Sequence, residues 1–185
     1  PCRDMSREES DRRAAAGEAY VIRQRIPHEG TTTFHDESFG DITVENKTLD
    51  DQVLLKGDGL PTYNFANVVD DHLMGTTHVV RGEEWLPSLS RHIMLFGYLG
   101  FKLPKYMHIA QIMHLDENGN KKKLSKRDMG ANVEDYRRMG YTNECMTEYV
   151  MTLLNSNFEE WRIANPNADV DEFKFTTEKM SNSGA

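Results

Sequence analysis

The sequence contains only two cysteines, Cys2 and Cys145, among its 185 residues. Two cysteines are too few for a disulfide framework or a cysteine-ligated zinc site, so a reducing compartment and no protein-bound metal are expected. The chain also has no apolar run of membrane-spanning length, and its first residues, PCRDMSREES, lack the apolar segment of a signal peptide. These absences exclude a disulfide-stabilised scaffold and a transmembrane helix, and they predict a cytoplasmic protein.

Positive charge is also scarce, because 22 basic residues face 30 acidic ones and the net charge is -8. This balance argues against a protein that coats nucleic acid by general electrostatic attraction. The basic residues concentrate in ENGNKKKLSKRD, residues 117–128. On composition alone this stretch is typical of a solvated surface loop. The alternative is a phosphate-binding loop, because lysine ammonium groups suit phosphate oxygens.

The first 58 residues predict a helix followed by a small antiparallel sheet. SREESDRRAAAGEAY has Ser6 as N-cap, with Glu9 three residues later, and Gly17 as a stop. The stretches YVIRQRI, DITVEN and DQVLLK predict three short strands, the first by its alternation of apolar and polar residues.

The pattern changes at GDGLP, residues 57–61. Apolar spacing then predicts a helix over residues 62–73, a strand in THVVRG, a helix in SLSRHIMLFGYLG and a strand in KYMHIAQIM. Alternating helices and strands indicate an α/β unit with a parallel sheet. Beyond the lysine-rich stretch, ANVEDYRRMG, capped by Asn132, and TNECMTEYVMTLLNSNF predict two more helices.

The helix over residues 62–73 has polar side chains that suit a small ligand. Tyr63 and Asn67 are four residues apart and share a helix face, where a phenol and a carboxamide can hold a polar group. An ordinary half-buried helix explains the same spacing. Asp70–His72 are consecutive and cannot converge on one metal ion, so they are expected to end the helix before Gly75.

The stretch VVRGEEW places polar side chains at the end of a predicted strand. In open α/β sheets, ligands gather at the carboxyl ends of strands, and Arg81 there can bind a carboxylate through two hydrogen bonds. Trp85 can stack on a base, and Glu83 or Glu84 can accept hydrogen bonds from a sugar. A surface salt bridge with a core tryptophan is the alternative.

These stretches together resemble a known family. LPTYNFANVVDDHLMGTTHVVRGEEW, followed by KLSKR at residues 123–127, is similar to bacterial-type glutamyl-tRNA synthetases, and KLSKR resembles the KMSKS motif of class I aminoacyl-tRNA synthetases. The resemblance implies a Rossmann-type catalytic domain split by an insertion that holds the tRNA acceptor end. Residues 1–58 would be the end of that insertion and residues 59–115 the second half of the Rossmann-type domain. Residues 116–185 would be the KMSKS-type loop and the start of a helical stem-contact domain.

The resemblance also implies an activity and a set of site residues. The family joins ATP and glutamate into glutamyl-adenylate, releasing pyrophosphate, and then transfers the glutamyl group to the 3′ end of tRNA. Lys126, assisted by Lys123, would stabilise the charge on the leaving pyrophosphate. The implied ATP-binding residues are Glu84, Trp85, Ile112, Met113, Leu124, Ser125 and Lys126. The implied glutamate-binding residues are Tyr63, Asn67 and Arg81. The implied partners are glutamate, ATP with its Mg²⁺, and glutamate-accepting tRNA, and the family default is a monomer.

Several family features are missing from this sequence. No HIGH-like string occurs, and neither the N-terminal arginine that helps bind glutamate nor the anticodon-binding region is present. We therefore expect an internal fragment with half an ATP site that is catalytically silent alone. ATP–pyrophosphate exchange that Lys126→Ala abolishes would contradict this expectation. A glutamyl-queuosine-type tRNA-modifying relative and a non-catalytic tRNA-binding module are the alternatives.

Overall fold

The computed structural model describes residues 2–125, 128 and 130–176. The helices, in chain order, are α1 Arg7–Ala15, α2 Tyr63–Leu73, α3 Leu86–Leu99, α4 Val133–Arg138, α5 Asn143–Leu154 and α6 Ser156–Ala164. The strands are β1 Ile22–Arg23, β2 Thr31–Asp36, β3 Gly40–Glu45, β4 Val53–Leu55, β5 His78–Gly82, β6 Lys105–Ile109, β7 Met113–Leu115 and β8 Lys121–Lys123. Short 3-10 helices occupy Asn46–Thr48, Glu83–Trp85 and Val170–Glu172. Within the described ranges, no helix is long and apolar enough to cross a bilayer.

The strands form three sheets. Four of them form a sheet of order β3-β2-β6-β5, in which β2 and β6 run parallel with Asp36 opposite Tyr106. β1 pairs antiparallel with β4, and β7 pairs antiparallel with β8. The parallel pairing of β2 with β6 agrees with the predicted α/β class.

Two of the predicted strands and the predicted lysine-rich loop need correction. The strand predicted in YVIRQRI is only Ile22–Arg23, and β2, which the sequence pattern did not predict, follows the turn after it. KYMHIAQIM is two strands, β6 and β7, separated at residues 110–112. Lys121–Lys123 were expected in a loop and instead form β8, because the turn after β7 returns the chain antiparallel to that strand.

The described residues divide into two compact units. The first contains the chain up to His35, then Asp41–Val79 and Leu86–Lys105. Its core comprises Val68 of α2 with Leu95 and Phe96 of α3, against which Leu54, Phe65 and Phe101 pack. α2 and α3 therefore form as predicted, because their apolar residues recur at helical spacing and cover this core.

The second unit contains Asp36–Gly40, Val80–Trp85 and the chain from Tyr106 onward. In its helical part, the rings of Phe158, Trp161 and Phe173 pack with centroids between 5.2 and 5.8 Å apart. The helix predicted over residues 142–158 is two helices. Buried Asn155 ends α5, and its side chain accepts a hydrogen bond from the Asn157 N–H at 2.8 Å, which caps α6.

Local capping confirms two of the predicted helix starts. The Ser6 hydroxyl accepts from the Glu9 N–H at 3.2 Å, and the Asn132 side chain accepts from the Glu134 N–H at 3.0 Å. The expected end of α2 is also confirmed, since the Gly75 N–H donates to the His72 carbonyl and Gly75 has a φ of 68°. The three-part division at residues 58 and 115 stays a prediction.

Candidate active site

A chain of three polar side chains crosses the sheet in the second unit. Arg81 of β5 donates from Nε to Nε2 of His108 on β6, at 3.0 Å. Nδ1 of His108 lies 2.6 Å from Oδ2 of Asp36, the last residue of β2. The side chains of Asp36 and His108 are both 0% exposed. Arg81 is thus connected to two fully buried partners.

The buried Asp36 carboxylate is well supplied with hydrogen-bond donors. Its Oδ1 accepts from the backbone N–H groups of Ser38 and Phe39 at 3.0 and 3.1 Å. Its Oδ2 accepts from the His108 backbone N–H at 3.2 Å as well as from the imidazole. Such donors offset the cost of burying a carboxylate, and they fix its orientation.

His108 is held in a neutral state. Burial lowers the pKa of His108, and the positive charge of Arg81 lowers it further, which outweighs the opposing effect of the Asp36 carboxylate. The contact between His108 and Asp36 is therefore a hydrogen bond from a neutral ring to a carboxylate, rather than an ion pair of two charges.

The Arg81 guanidinium lies close to two aromatic rings. Its central carbon is 5.4 Å from the centre of the Tyr106 ring and 5.9 Å from that of the Trp85 ring. Both Nη groups are buried, and neither has a hydrogen-bond partner in the described part of the chain. An arginine held in this way can receive a carboxylate through two parallel hydrogen bonds.

A cleft of about 270 Å³ lies in the second unit at the end of β5, where it is lined by Gly82, the residue after Arg81. It is lined by Gly82, Glu84, Ile109, Ala110, Gln111, Ile112, Lys123, Leu124, Ser125 and Ala131. Four of the residues predicted to bind ATP are among them, namely Glu84, Ile112, Leu124 and Ser125. Lys123, which was predicted to assist catalysis, lines the cleft as well. The structure thus brings two distant stretches of sequence, VVRGEEW and KLS, to one cleft.

The hairpin of β7 and β8 is what places the lysine-rich stretch there. Met113 is paired with Lys123, and the Leu124 N–H donates to the Ile112 carbonyl at 3.0 Å. The turn between the strands is fixed by Asp116, whose side chain accepts from the N–H groups of Asn118 and Asn120. Just beyond β8, the Asp128 carboxylate accepts a hydrogen bond from the Ser125 N–H at 2.8 Å.

Inside the cleft, Lys123 and Glu84 form an ion pair with Nζ and Oε1 2.5 Å apart. Burial alone would raise the pKa of Glu84. The hydrogen bonds from Lys123, from its own backbone N–H and from Gln111 outweigh burial and lower the pKa. The Glu84 carboxylate also lies against Gly82, where a Cβ would come within 2.0 Å of Oε2.

Four of the other predicted residues do not line the cleft, namely Trp85, Met113, Tyr63 and Asn67. Tyr63 and Asn67 are four residues apart on α2 in the first unit, as the spacing predicted. Oδ1 of Asn67 is buried and accepts no hydrogen bond from the described residues. Lys126 lies outside the described residues, so its role stays a prediction. Over the described ranges, no cluster of three or more His, Cys, Asp or Glu side chains could hold a metal ion.

Asp36 and His108 were not predicted from the sequence. HDESFG has the composition of an ordinary turn, and the histidine of KYMHIAQIM occupies an ordinary position in a predicted strand. The two residues are 72 positions apart, so only the parallel pairing of β2 with β6 brings them together. Alternation of buried positions along KYMHI was the one available indication, because it places His108 on the same face as Tyr106.

Comparison with known proteins is consistent with this arrangement. A family model described as tRNA synthetases class I (E and Q), catalytic domain, matches residues 1–182. A glutamate–tRNA ligase of Clostridium perfringens strain 13 is 48% identical over 186 residues, covering 99% of this chain and 34% of that protein. One from Acetivibrio thermocellus is 49% identical over 185 residues, with the same two coverages. The chain thus spans about a third of the length of these curated relatives.

Solved structures show the same similarity. The crystal structure of a glutamate tRNA ligase from Elizabethkingia meningosepticum in complex with its amino acid aligns with a TM-score of 0.76 and 34% identity. The alignment covers 98% of this chain and 38% of that one. The family match over nearly the whole sequence and the mixed sheet with its helices confirm the predicted α/β class, and the chain belongs to the class I tRNA synthetases of the glutamate and glutamine type.

Proposed function

We propose that this chain acts in glutamate–tRNA ligation, as part of an enzyme that activates glutamate with ATP and passes it to tRNA. The observation that supports this most directly is the cleft in the second unit. In this cleft, Lys123 of the KMSKS-like stretch pairs with Glu84, which lies shortly after β5, the strand that contains Arg81. The curated relatives that match over 99% of the chain have the name glutamate–tRNA ligase.

The amino-acid end of the proposed site is Arg81. Its two buried Nη groups have no acceptor among the described residues, and a substrate carboxylate would supply one. Tyr63 and Asn67, which the resemblance assigns to the glutamate pocket, would contribute a phenol and a carboxamide. The Elizabethkingia meningosepticum enzyme, similar over 98% of this chain, was solved in complex with its amino acid.

The nucleotide end of the proposed site is the cleft. Lys123 would exchange its contact with Glu84 for phosphate oxygens of ATP, and Lys126 would act beside it on the leaving pyrophosphate. Ile112, Met113 and Leu124 would supply apolar contacts to the adenine, with Trp85 and Ser125 close to the nucleotide. Mg²⁺ would enter with the triphosphate as part of the substrate.

The tRNA is the remaining proposed partner. Residues 1–58 are proposed as the end of the acceptor-binding insertion, residues 59–115 as the second half of the catalytic domain, and residues 116–185 as the KMSKS-type loop and the start of the stem-contact domain. With a net charge of -8, the chain is expected to bind tRNA through few phosphate contacts, weakly and with strong salt dependence. Tight binding that ignores salt would contradict this.

Calorimetric titration of the chain with MgATP tests the nucleotide assignment. Lys123→Ala should weaken binding about 10- to 100-fold, the loss expected for a hydrogen bond between charged groups. Lys122→Ala is the matched control, because Lys122 is the neighbouring residue of β8 and points to the opposite face of the hairpin. It removes the same charge and should change affinity by less than about threefold.

A second ligand separates a phosphate contact from a general loss of binding. AMP lacks the β- and γ-phosphates, so Lys123→Ala should leave its affinity nearly unchanged. Equal losses for Lys122→Ala and Lys123→Ala, or an equal loss of AMP and ATP affinity, would count against the assignment of the cleft to the triphosphate.

A further inference from the structure

The Arg81 guanidinium has a hydrogen-bond partner at its Nε and lacks one at its two Nη groups among the described residues. Its Nε–H is used by His108, whereas both Nη groups are buried without an acceptor in the described part of the chain. Buried donors without a partner are unfavourable, so this arrangement favours the arrival of an acceptor. The rings of Tyr106 and Trp85 lie near the guanidinium and restrict its tilt.

The hydrogen bond from Arg81 determines the state of His108. An arginine Nε always carries a hydrogen, so Nε2 of His108 has to be the acceptor and cannot be protonated. Nδ1 then carries the ring hydrogen and donates it to Asp36. Asp36 cannot turn away, because the backbone N–H groups of Ser38 and Phe39 hold its other oxygen. One tautomer of His108 satisfies all of these contacts.

We infer that Asp36 and His108 form a positioning pair that orients Arg81 to receive a substrate carboxylate, and that carboxylate binding requires His108 to be uncharged. Neither residue touches the substrate. The identity of the carboxylate, that of glutamate, rests on the proposed function. A merely structural pair would stabilise the sheet without affecting the orientation of Arg81, and this difference is measurable.

The groups around His108 define what a change of pH would do. Asp36 faces it from the end of β2, Arg81 from β5, and Tyr106 from its own strand, while Glu84 of the 3-10 helix acts through space. Protonation of Nε2 would place an N–H against the Arg81 N–H and a second positive charge beside the guanidinium. Arg81 would then be displaced, so glutamate affinity should fall in acid.

Nitrogen-15 NMR of the whole 185-residue chain tests the tautomer directly. At pH 7.5, His108 should have a protonated Nδ1 and an unprotonated Nε2. Asp36→Asn should reverse this. The single remaining oxygen would stay with Ser38 and Phe39, and the amide NH₂ would face Nδ1 and make it an acceptor. A wild-type His108 protonated at Nε2 would overturn the inference.

The orientation of Arg81 is tested with variants of the imidazole. His108→Phe keeps a buried ring and removes the acceptor, so the Arg81 Nε–H signal should lose its protection from exchange, and glutamate affinity should fall at least about tenfold. His92→Phe is the matched control, since His92 is equally buried but bonds to Asn64 rather than to an arginine. It should leave both measurements unchanged.

His108→Gln separates positioning from titration. Its amide oxygen can accept from Arg81 but does not titrate, so affinity at pH 7.5 should stay within about threefold of wild type while the loss of affinity in acid disappears. An unchanged acid loss in this variant would overturn the role of His108. If His108→Phe does not fold, this variant and the tautomer reversal in Asp36→Asn decide the question.

Failure of the inference can be distinguished from failure of the proposed function. If wild-type chain shows the expected tautomer and a protected Arg81 Nε–H but binds no glutamate at any pH, the positioning of Arg81 is supported. The assignment of glutamate as its ligand is then overturned. If glutamate binds and His108→Phe has no effect on affinity, the function stands and the positioning pair is wrong.

Discussion

Two neighbouring residues of β2 make the same kind of contact in opposite environments. His35 pairs with Asp41 across the β2–β3 hairpin, with Nδ1 and Oδ1 2.7 Å apart and side chains 61% and 78% exposed. Asp36 pairs with His108 at 2.6 Å, with both side chains 0% exposed. Successive residues of a strand point to opposite faces, which is why one pair is solvated and the other is enclosed.

The comparison shows that environment, rather than distance, decides what such a pair does. The exposed pair competes with water and salt and is expected to contribute between about 0 and 1 kcal/mol. The buried carboxylate has no water to replace its partners, so removing it leaves several donors unsatisfied. The buried pair also connects to Arg81, whereas no contact among the described residues links the exposed pair to the site.

The largest predicted effect comes from removing the buried carboxylate. Asp36→Ala would leave the N–H groups of Ser38 and Phe39 and the ring of His108 without their acceptor. We expect the free energy of unfolding to fall by about 3–5 kcal/mol, because each buried donor left without an acceptor costs about 1–3 kcal/mol. Urea denaturation followed by circular dichroism measures it.

Asp41→Ala is the matched control, since it deletes the exposed carboxylate of the other pair. It should change the free energy of unfolding by less than about 1 kcal/mol. Similar losses in the two variants would show that the backbone donors around Asp36 find other acceptors, and would remove the distinction between the two pairs.

The next effect is a dependence of stability on pH. In the unfolded chain, His108 takes up a proton around its ordinary pKa of about 6.5, whereas burial lowers its pKa in the folded chain. Below pH of about 6.5 the unfolded state therefore binds more protons, and the free energy of unfolding decreases as the pH falls. The stabilisation is fully present above that pH.

Denaturation at pH 7.5 and 5.5 checks this effect in a range where carboxylates remain largely ionised. His108→Gln should show a smaller loss of stability between the two values than wild type. His35→Gln should keep most of the wild-type loss, since His35 lies in the exposed pair. If His108→Gln lost as much stability between pH 7.5 and 5.5 as wild type, the pH dependence would have to come from another group.

The same contrast explains what could be predicted from the sequence. The helix Tyr63–Leu73 and the caps at Ser6 and Asn132 depend on residues a few positions apart, and those predictions are confirmed. The buried pair of Asp36 and His108 depends on strand pairing across 72 positions and leaves no local pattern. The family resemblance predicted five of the residues that line the cleft. Sequence spacing alone could not show that Lys123 pairs with Glu84.

A smaller effect is predicted for the pair of Glu84 and Lys123, which is intermediate between the two His–Asp pairs, with side chains 33% and 55% exposed. Glu84→Gln should lower the free energy of unfolding by less than about 1 kcal/mol, and the difference should shrink in high salt. In the same variant, Lys123 should become more reactive toward reductive methylation, and mass spectrometry measures the extent of methylation. Glu83→Gln, in the same 3-10 helix, controls for loss of charge.

The smallest predicted effect tests whether the Glu84 carboxylate is held by position as well as by charge. A Cβ at residue 82 would lie 2.0 Å from Oε2 of Glu84, so Gly82→Ala requires the carboxylate to move. Because that carboxylate ends a flexible side chain, the free energy of unfolding should change by only about 0.5 kcal/mol or less. Methylation of Lys123 should nevertheless rise toward the level of Glu84→Gln, because the displaced carboxylate no longer covers the amine. Unchanged methylation would mean that Glu84 follows Lys123 to a new position, and that charge alone maintains the pair.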